Sequence, residues 1–254
     1  MSEGSPEIPR ELVASMGEAK SVAVLTGSGI SAESGVPTFR EAQTGLWARY
    51  DPRQLATPEA FARDPHLVWE WYEWRRGLVA AAEPNPGHTA LAELARRVFD
   101  LTLTTQNVDG LHARAGNRGV IELHGNIMRS KCSEEGVIVE GYEEGERPPR
   151  CSRCGAALRP DVVWFGEMLP PGALEEASEA ARGCELFLSI GTSSLVYPAA
   201  GLPYEALEYG ATVVEINPDE TPLTRHADYA LRGRAGEILP ELVRRAFAEV
   251  PGTR

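Results

Sequence analysis

The chain's 254 residues predict an α/β fold: a Rossmann-like parallel sheet with helices on both faces, carrying a smaller lobe. Three observations predict it. Short β-rich runs recur at residues 21–26, 101–105, 120–123, 186–190 and 212–216. Helix-compatible segments at 88–98, 172–182 and 202–209 separate several of them. Strands alternating with helices give a parallel sheet covered on both sides. Third, residues 41–87 and 126–160 break the rhythm and are expected to fold together as the smaller lobe, the first helical, the second bearing three of the four cysteines as a zinc-ribbon-like segment. The large lobe then takes residues 11–40, 88–125 and 161–250 of a single domain spanning 1–254. No internal repeat or low-complexity linker divides it.

Taken in order, the run at 21–26 ends in Gly27-Ser28-Gly29-Ile30-Ser31-Ala32 and a helix-compatible stretch. Gly-x-Gly-x-x-Ala after a strand fits the dinucleotide fingerprint, whose glycines let backbone approach a pyrophosphate at a helix amino terminus; alone, such a turn is as often only a turn. A helix is expected over 65–82, capped by Asp64 with Pro65 at its first position. Its core-facing stripe would be Leu67, Trp71, Trp74 and Leu78, beside a second row of Val68, Tyr72, Arg75 and Val79. The run at 101–105 leads into Gln106-Asn107-Val108-Asp109-Gly110-Leu111-His112, and that at 120–123 into His124-Gly125. Val163-Trp164-Phe165-Gly166-Glu167 reads as an extended apolar segment. The last two runs end in Gly191-Thr192-Ser193 and Asn217-Pro218. Each polar cluster sits at a strand's carboxyl end, where open α/β sheets bind ligands.

Composition bounds the partners. A net charge of −12 argues against binding nucleic acid through its phosphate backbone, which needs clustered lysine and arginine. The same acidity would attract basic peptides, although solubility alone explains it equally well. No basic-then-apolar leader opens the chain and no apolar run reaches about 20 residues, so no membrane association and a cytoplasmic monomer are expected. Clustered cysteines in metal-like spacing do not suggest a secreted disulfide framework.

These strand-end motifs, with Gly35-Val36-Pro37-Thr38-Phe39-Arg40, form an ordered set that resembles the sirtuin family of NAD-dependent protein deacylases. The resemblance covers roughly residues 15–245. It implies that Gly27, Ser28, Gly29, Ser31 and Ala32 line the NAD pyrophosphate, with Phe39 and Arg40 on a mobile cofactor loop. It implies that Gln106, Asn107 and Asp109 hold the nicotinamide ribose and carboxamide. Gly191, Thr192 and Ser193 would bind phosphate or ribose, and Asn217 and Ala235 would face the adenosine half. His124, with Asn107, would be catalytic: as the acyl-lysine oxygen attacks the anomeric carbon and nicotinamide leaves, the imidazole deprotonates a ribose hydroxyl. His112, in the turn opening a helix, reads as supporting structure, and His66, His88 and His226 have no comparable context. Val163, Phe165 and Gly166 would form an edge to which an acylated peptide adds as a strand.

Tyr72 and Arg75, three apart on one helix face, would present a hydroxyl and a guanidinium fork to one anion. With Thr38 in place of a frequent aspartate, the pair resembles the desuccinylase and demalonylase branch of the family. The plain alternative makes Arg75 and Arg76 solvated arginines and Tyr72 interfacial packing.

Cys151-x-x-Cys154 is half of a zinc knuckle and Cys132 lies at suitable distance upstream. Glu135 stands where the second cysteine of a first pair would be. Three options remain: zinc on three thiolates with Glu135 or water, a weakened site, or a lobe without metal. Cys184, before a core strand, is expected to be a small buried hydrophobe. The rivals to deacylation are mono-ADP-ribosyl transfer to protein and a non-catalytic NAD-sensing module.

Overall fold

The computed structural model describes residues 7–38, 51–142 and 145–248. In chain order the elements are α1 (Arg10–Glu18), β1 (Ser21–Thr26), α2 (Gly29–Ala32), α3 (Pro52–Leu55), α4 (Pro58–Arg63), α5 (Pro65–Ala81) and α6 (Pro86–Leu94). Next come β2 (Asp100–Thr105), α7 (Leu111–Arg114), β3 (Ile121–Glu122), β4 (Gly125–Cys132), β5 (Ile138–Val139) and β6 (Leu158–Val162). The chain continues through α8 (Ala173–Gly183), β7 (Leu186–Ile190), α9 (Leu202–Glu208), β8 (Thr212–Asn217), β9 (Tyr229–Arg232) and α10 (Ala235–Ala246).

Six strands form one sheet in the order β3-β2-β1-β7-β8-β9, every pairing parallel. Alternation along each strand feeds two cores. Val22 and Val24 of β1 join Leu188 and Val214 on one face, against Leu12 and Met16 of α1, Leu91 and Leu94 of α6, and Leu239 and Leu242 of α10. Ala23 and Leu25 join Phe187 and Val213 on the other, against Ala177 and Ala181 of α8 and Ala206 of α9. Burial on both faces explains why these strands read as unbroken apolar runs. The strand order reverses direction between β1 and β7, and a crevice opens at the carboxyl ends of such a pair.

A second sheet, β5-β4-β6, is antiparallel. It packs through Ile127 and Val162 onto α3, α4 and α5 in a core with Trp71, Tyr72 and Trp164. β3 ends at Glu122 and β4 begins at Gly125, so His124 lies where the chain leaves one sheet for the other.

Several expectations need correcting. The helix expected after Gly29 is one turn, ended by a bend at Gly35 (φ +78°), too short to carry a substantial dipole. In α5 the deepest residues are Val68, Trp69, Trp71, Tyr72 and Val79, whereas Leu67, Trp74 and Leu78 are only partly covered. The helix is sandwiched between two neighbours, so a single stripe does not describe it. Residues 163–167 are not a strand: β6 stops at Val162 and a turn follows, with Glu167 N–H donating to the Trp164 carbonyl at 3.0 Å. β9, α10 and the antiparallel strands are additions to the expected elements, although α10 buries Ala235, Ile238, Leu239, Leu242 and Val243 at helical spacing. Among the described residues no helix is long and apolar enough to cross a membrane.

Candidate active site

A cavity of about 2030 Å³ occupies the switch point between β1 and β7. Its walls bring together Gly27, Ser28, Gly29, Ser31, Ala32, Gln106, Asn107, Asp109, His124, Gly191, Thr192, Ser193, Asn217 and Ala235. Tyr72, Arg75, Val163, Phe165 and Gly166 line it too. Phe39 and Arg40 lie outside the described residues.

The glycines have a packing cause beyond any ligand. Gly29 N–H donates to the Gly191 carbonyl at 2.8 Å, tying the loop after β1 to the loop after β7. A Cβ on Gly27 would lie 2.8 Å from the Gly191 oxygen, and one on Gly29 2.7 Å from it. Only glycine lets the two turns touch.

From β2 the chain lays down the cavity floor. His124 Nδ1–H donates to the Gln106 carbonyl at 2.9 Å. A carbonyl only accepts, so the bond fixes the tautomer and leaves Nε2 with its lone pair. Gln106 reaches the other way, donating from Nε2 to Thr192 Oγ1 at 2.9 Å, and Asn217 Nδ2 donates to the Thr192 carbonyl at 2.7 Å. Asn107 Nδ2 donates to the Gly27 carbonyl and to Ser31 Oγ, both at 3.1 Å. Ser31 Oγ–H donates to Asp109 Oδ2 at 2.8 Å, while Asp109 Oδ1 accepts from Leu111 N–H at 2.9 Å.

Burial sets the protonation states. It lowers the His124 pKa, partly offset by the bond to Gln106, so the imidazole is neutral and basic at pH 7. It raises that of Asp109, opposed by the bonds from Leu111 and Ser31. Beneath the floor lies a second layer of buried histidines. Asn85 N–H donates to His88 Nδ1, so the ring's Nε2–H faces Ser31 Oγ at 3.3 Å. Burial pushes the His88 pKa down to about 4 and that of its neighbour His112 to about 3. His112 Nε2 lies 2.9 Å from Thr26 Oγ1, the supporting position expected of it. Helical context hid His88, which faces inward from α6 under residues 57 positions away.

Residues 27–198 match the Sir2 family. The chain is 54% identical over 246 residues to the NAD-dependent protein deacylase of Methylococcus capsulatus, covering 93% of this chain and 96% of that protein. It is 53% identical over 225 residues to the NAD-dependent protein deacylase of Aquifex aeolicus, covering 87% and 93%. The chain belongs to the Sir2 family. Its structure superposes on a Sir2 homologue–NAD complex with TM-score 0.89 and 48% identity, over 96% of both chains. A Sir2 bound to acetylated peptide gives TM-score 0.84 at 30% identity, over 94% of this chain and 98% of that one.

In this Sir2 chain the α5 wall is more ordered than its sequence suggests. Tyr72 is buried and its hydroxyl accepts from Trp164 Nε1–H at 2.9 Å. Burial pushes its pKa up to about 12, so the phenol stays protonated. The Arg75 guanidinium sits 5.2 Å from the Trp71 ring centroid, partly covered rather than solvated. Arg76 is also no surface arginine. It donates to the carbonyls of Ile127 (2.6 Å) and Arg129 (3.0 Å) and to Ser130 Oγ (3.0 Å), clamping α5 onto β4.

The cysteine module gathers Cys132, Cys151, Cys154 and Glu135, their ligand atoms all within 4.8 Å of one another. Three thiolates and one carboxylate at that spacing fit a tetrahedral zinc ion, with Glu135 placed to offer the fourth donor. The Glu135 carboxylate also pairs with Arg153 at 3.2 Å. None of these four residues lines the cavity, so a metal held there would serve the fold and not the chemistry. Cys184 is buried as expected, its thiol donating to the Ala181 carbonyl at 3.3 Å and pushed up to about 11 by burial.

Proposed function

We infer that this chain is an NAD-dependent protein-lysine deacylase, and we propose that it prefers acyl groups ending in a carboxylate, succinyl and malonyl, with acetyl as a secondary substrate. One observation carries the first part: His124, its tautomer fixed by the Gln106 carbonyl, lines the same cavity as the paired turns after β1 and β7. When bound there, NAD supplies an electrophilic ribose carbon as nicotinamide departs. The residues of this chain do the rest. The turns at Gly27, Ser28, Gly29, Ser31 and Ala32 receive the diphosphate, and Gly191, Thr192 and Ser193 a phosphate or ribose. Asn217 and Ala235 face the adenosine end. Gln106, Asn107 and Asp109 orient the nicotinamide half, and Phe39 and Arg40 are assigned to the cofactor loop on sequence grounds alone. His124 Nε2 takes a proton from a ribose hydroxyl, for which a neutral imidazole at pH 7 is suited.

Tyr72 and Arg75 support the acyl preference, since both line the cavity and both carry donors. A guanidinium fork and a phenol hydroxyl on one wall would recognise a carboxylate through charge-assisted hydrogen bonds that a methyl group cannot make, which favours charged acyl chains over acetyl. Val163, Phe165 and Gly166 would contact the peptide. Val163 N–H already donates to the His124 carbonyl (2.9 Å) and Phe165 N–H to the Ala56 carbonyl (3.0 Å), so this segment offers less backbone than a bare strand edge.

The test is incubation with NAD and acetyl-, succinyl- or malonyl-lysine peptides, following nicotinamide release and peptide mass. Acyl loss matched to nicotinamide supports deacylation. Mass gain on protein would instead indicate ADP-ribosyl transfer, and binding without turnover a sensor.

A further inference from the structure

Trp164 lies in the 163–167 turn, yet its side chain reaches 92 positions back in sequence to the helix that forms the opposite wall. An indole N–H can only donate, so the Tyr72 oxygen must accept from it, and the phenol's own hydrogen turns to a different acceptor. We propose that Trp164 is a positioning residue for acyl selectivity: by occupying the Tyr72 oxygen it directs the phenol hydrogen to the acyl end of the cavity, where Tyr72 and Arg75 then both donate to a carboxylate. The proposal rests on the acidic-acyl reading above.

The indole is itself fixed. The Arg159 guanidinium lies 3.2 Å from its ring centroid and the Phe61 ring 5.3 Å away. Arg159 Nη2 donates to Glu167 at 2.8 Å, and the same carboxylate accepts from Trp164 N–H at 2.8 Å. Both the backbone and the ring of Trp164 are therefore held by one ion pair, Arg159–Glu167. Without the indole donor, the buried phenol can rotate so that its hydrogen bonds elsewhere and its lone pairs face the ligand. A lone pair opposing a carboxylate repels it, whereas a charge-assisted O–H···O⁻ bond attracts it. An acetyl group carries no charge at that end, so it is indifferent to the rotation.

The experiment compares kcat and KM on acetyl- and succinyl-lysine peptides of one sequence. The variants are Trp164→Phe and Trp164→β-(3-benzothienyl)alanine, the latter keeping the fused ring and replacing N–H by sulfur should Phe pack poorly. A charged hydrogen bond lost in this way raises the succinyl KM about tenfold, with kcat and both acetyl constants within about twofold. In a Tyr72→Phe background the same changes add less than about twofold on succinyl peptide, because the hydrogen they orient is already gone. Equal losses on acetyl and succinyl peptides, or an undiminished tenfold loss in the Tyr72→Phe background, would overturn the proposal. Arg75→Met separates the two levels. If it is selective while the Trp164 variants are not, only the positioning role fails. If it too loses both acyl types equally, the acidic-acyl reading falls and this proposal with it.

Discussion

The floor of the cavity and its α5 wall are held in different ways. The floor is made of short segments following β1, β2, β3 and β7, and its central side chains bond from one such segment to another: His124 to Gln106, Gln106 to Thr192, Asn107 to Gly27 and Ser31. The wall is one helix fastened from behind, by Arg76 on β4 carbonyls and by Trp69 and Trp71 in apolar cores. Disturbing one floor residue loosens several. Tyr72 and Arg75, by contrast, project from one helix that Arg76, Trp69 and Trp71 hold in place, with Tyr72 further bonded to Trp164. Chemistry and selectivity should therefore be separable by mutation.

The largest effect tests the floor. His124→Ala is expected to lower acyl loss by about a thousandfold, the range of a missing general base, while a thermal shift on adding NAD persists. Residual turnover within tenfold of the parent would sink the assigned role. Because burial lowers the His124 pKa, the acid limb of the rate profile should lie below the usual imidazole value of about 6.5.

Acid should break the floor before the wall. His88 and His112 are held neutral, with folded pKa values near 4 and 3, below the unfolded value near 6.5. The unfolded chain then binds more protons, so stability is full above about pH 6.5 and is lost as pH falls toward 4. His88 alone would account for on the order of 3 kcal/mol of this. The Tyr72 phenol, at about 12, does not titrate there, and the Arg75 guanidinium keeps its proton. Urea midpoints at pH 7.5 and 4.5 check it: His88→Gln should flatten the difference, and an unchanged difference would refute the account.

For the wall itself, Arg75→Met is expected to lower succinyl-peptide kcat/KM by some ten- to a hundredfold, the scale of hydrogen bonds to a charged group, and acetyl-peptide kcat/KM by no more than about twofold. Parallel losses on the two peptides would show that floor and wall are not independent.

The same contrast decides what was legible in the sequence. Gln106, Asn107, Asp109, His124 and Thr192 could be found because each directly follows a recognisable apolar run, and their spacing matched a family. Tyr72 and Arg75 could be paired because helical spacing puts residues three apart on one face. What stayed hidden joins distant segments: Arg76 with Ile127, His88 with Ser31, and Tyr72 with Trp164, separated by 51, 57 and 92 positions. Each residue has an ordinary local reading, a surface arginine, a helix histidine, a core tryptophan, and only the tertiary contact changes it. Likewise β4 and β6 pair across a long excursion, and their exposed positions gave no clean alternation. Glu135 was identified as a candidate by its offset from Cys132, but only the fold could bring it to Cys151 and Cys154.

The smallest predicted effect sharpens where the wall gets its rigidity. Asp64 caps α5 by accepting from Leu67 N–H at 3.0 Å, so Asp64→Ala should cost about 1 kcal/mol. In a chain of this size that is a fall in Tm of about 2–4 °C by calorimetry. Fraying would reach the first turn, whereas Tyr72 and Arg75 lie further along, next to the Arg76 clamp. The succinyl-to-acetyl ratio of kcat/KM should then stay within about twofold of the parent despite the lower Tm. A ratio that drops along with stability would mean the amino-terminal turn, not the clamp on β4, sets the position of the two donors. The helix would then be a loose lever rather than a fixed wall, and its selectivity would depend on temperature as the floor's chemistry does not.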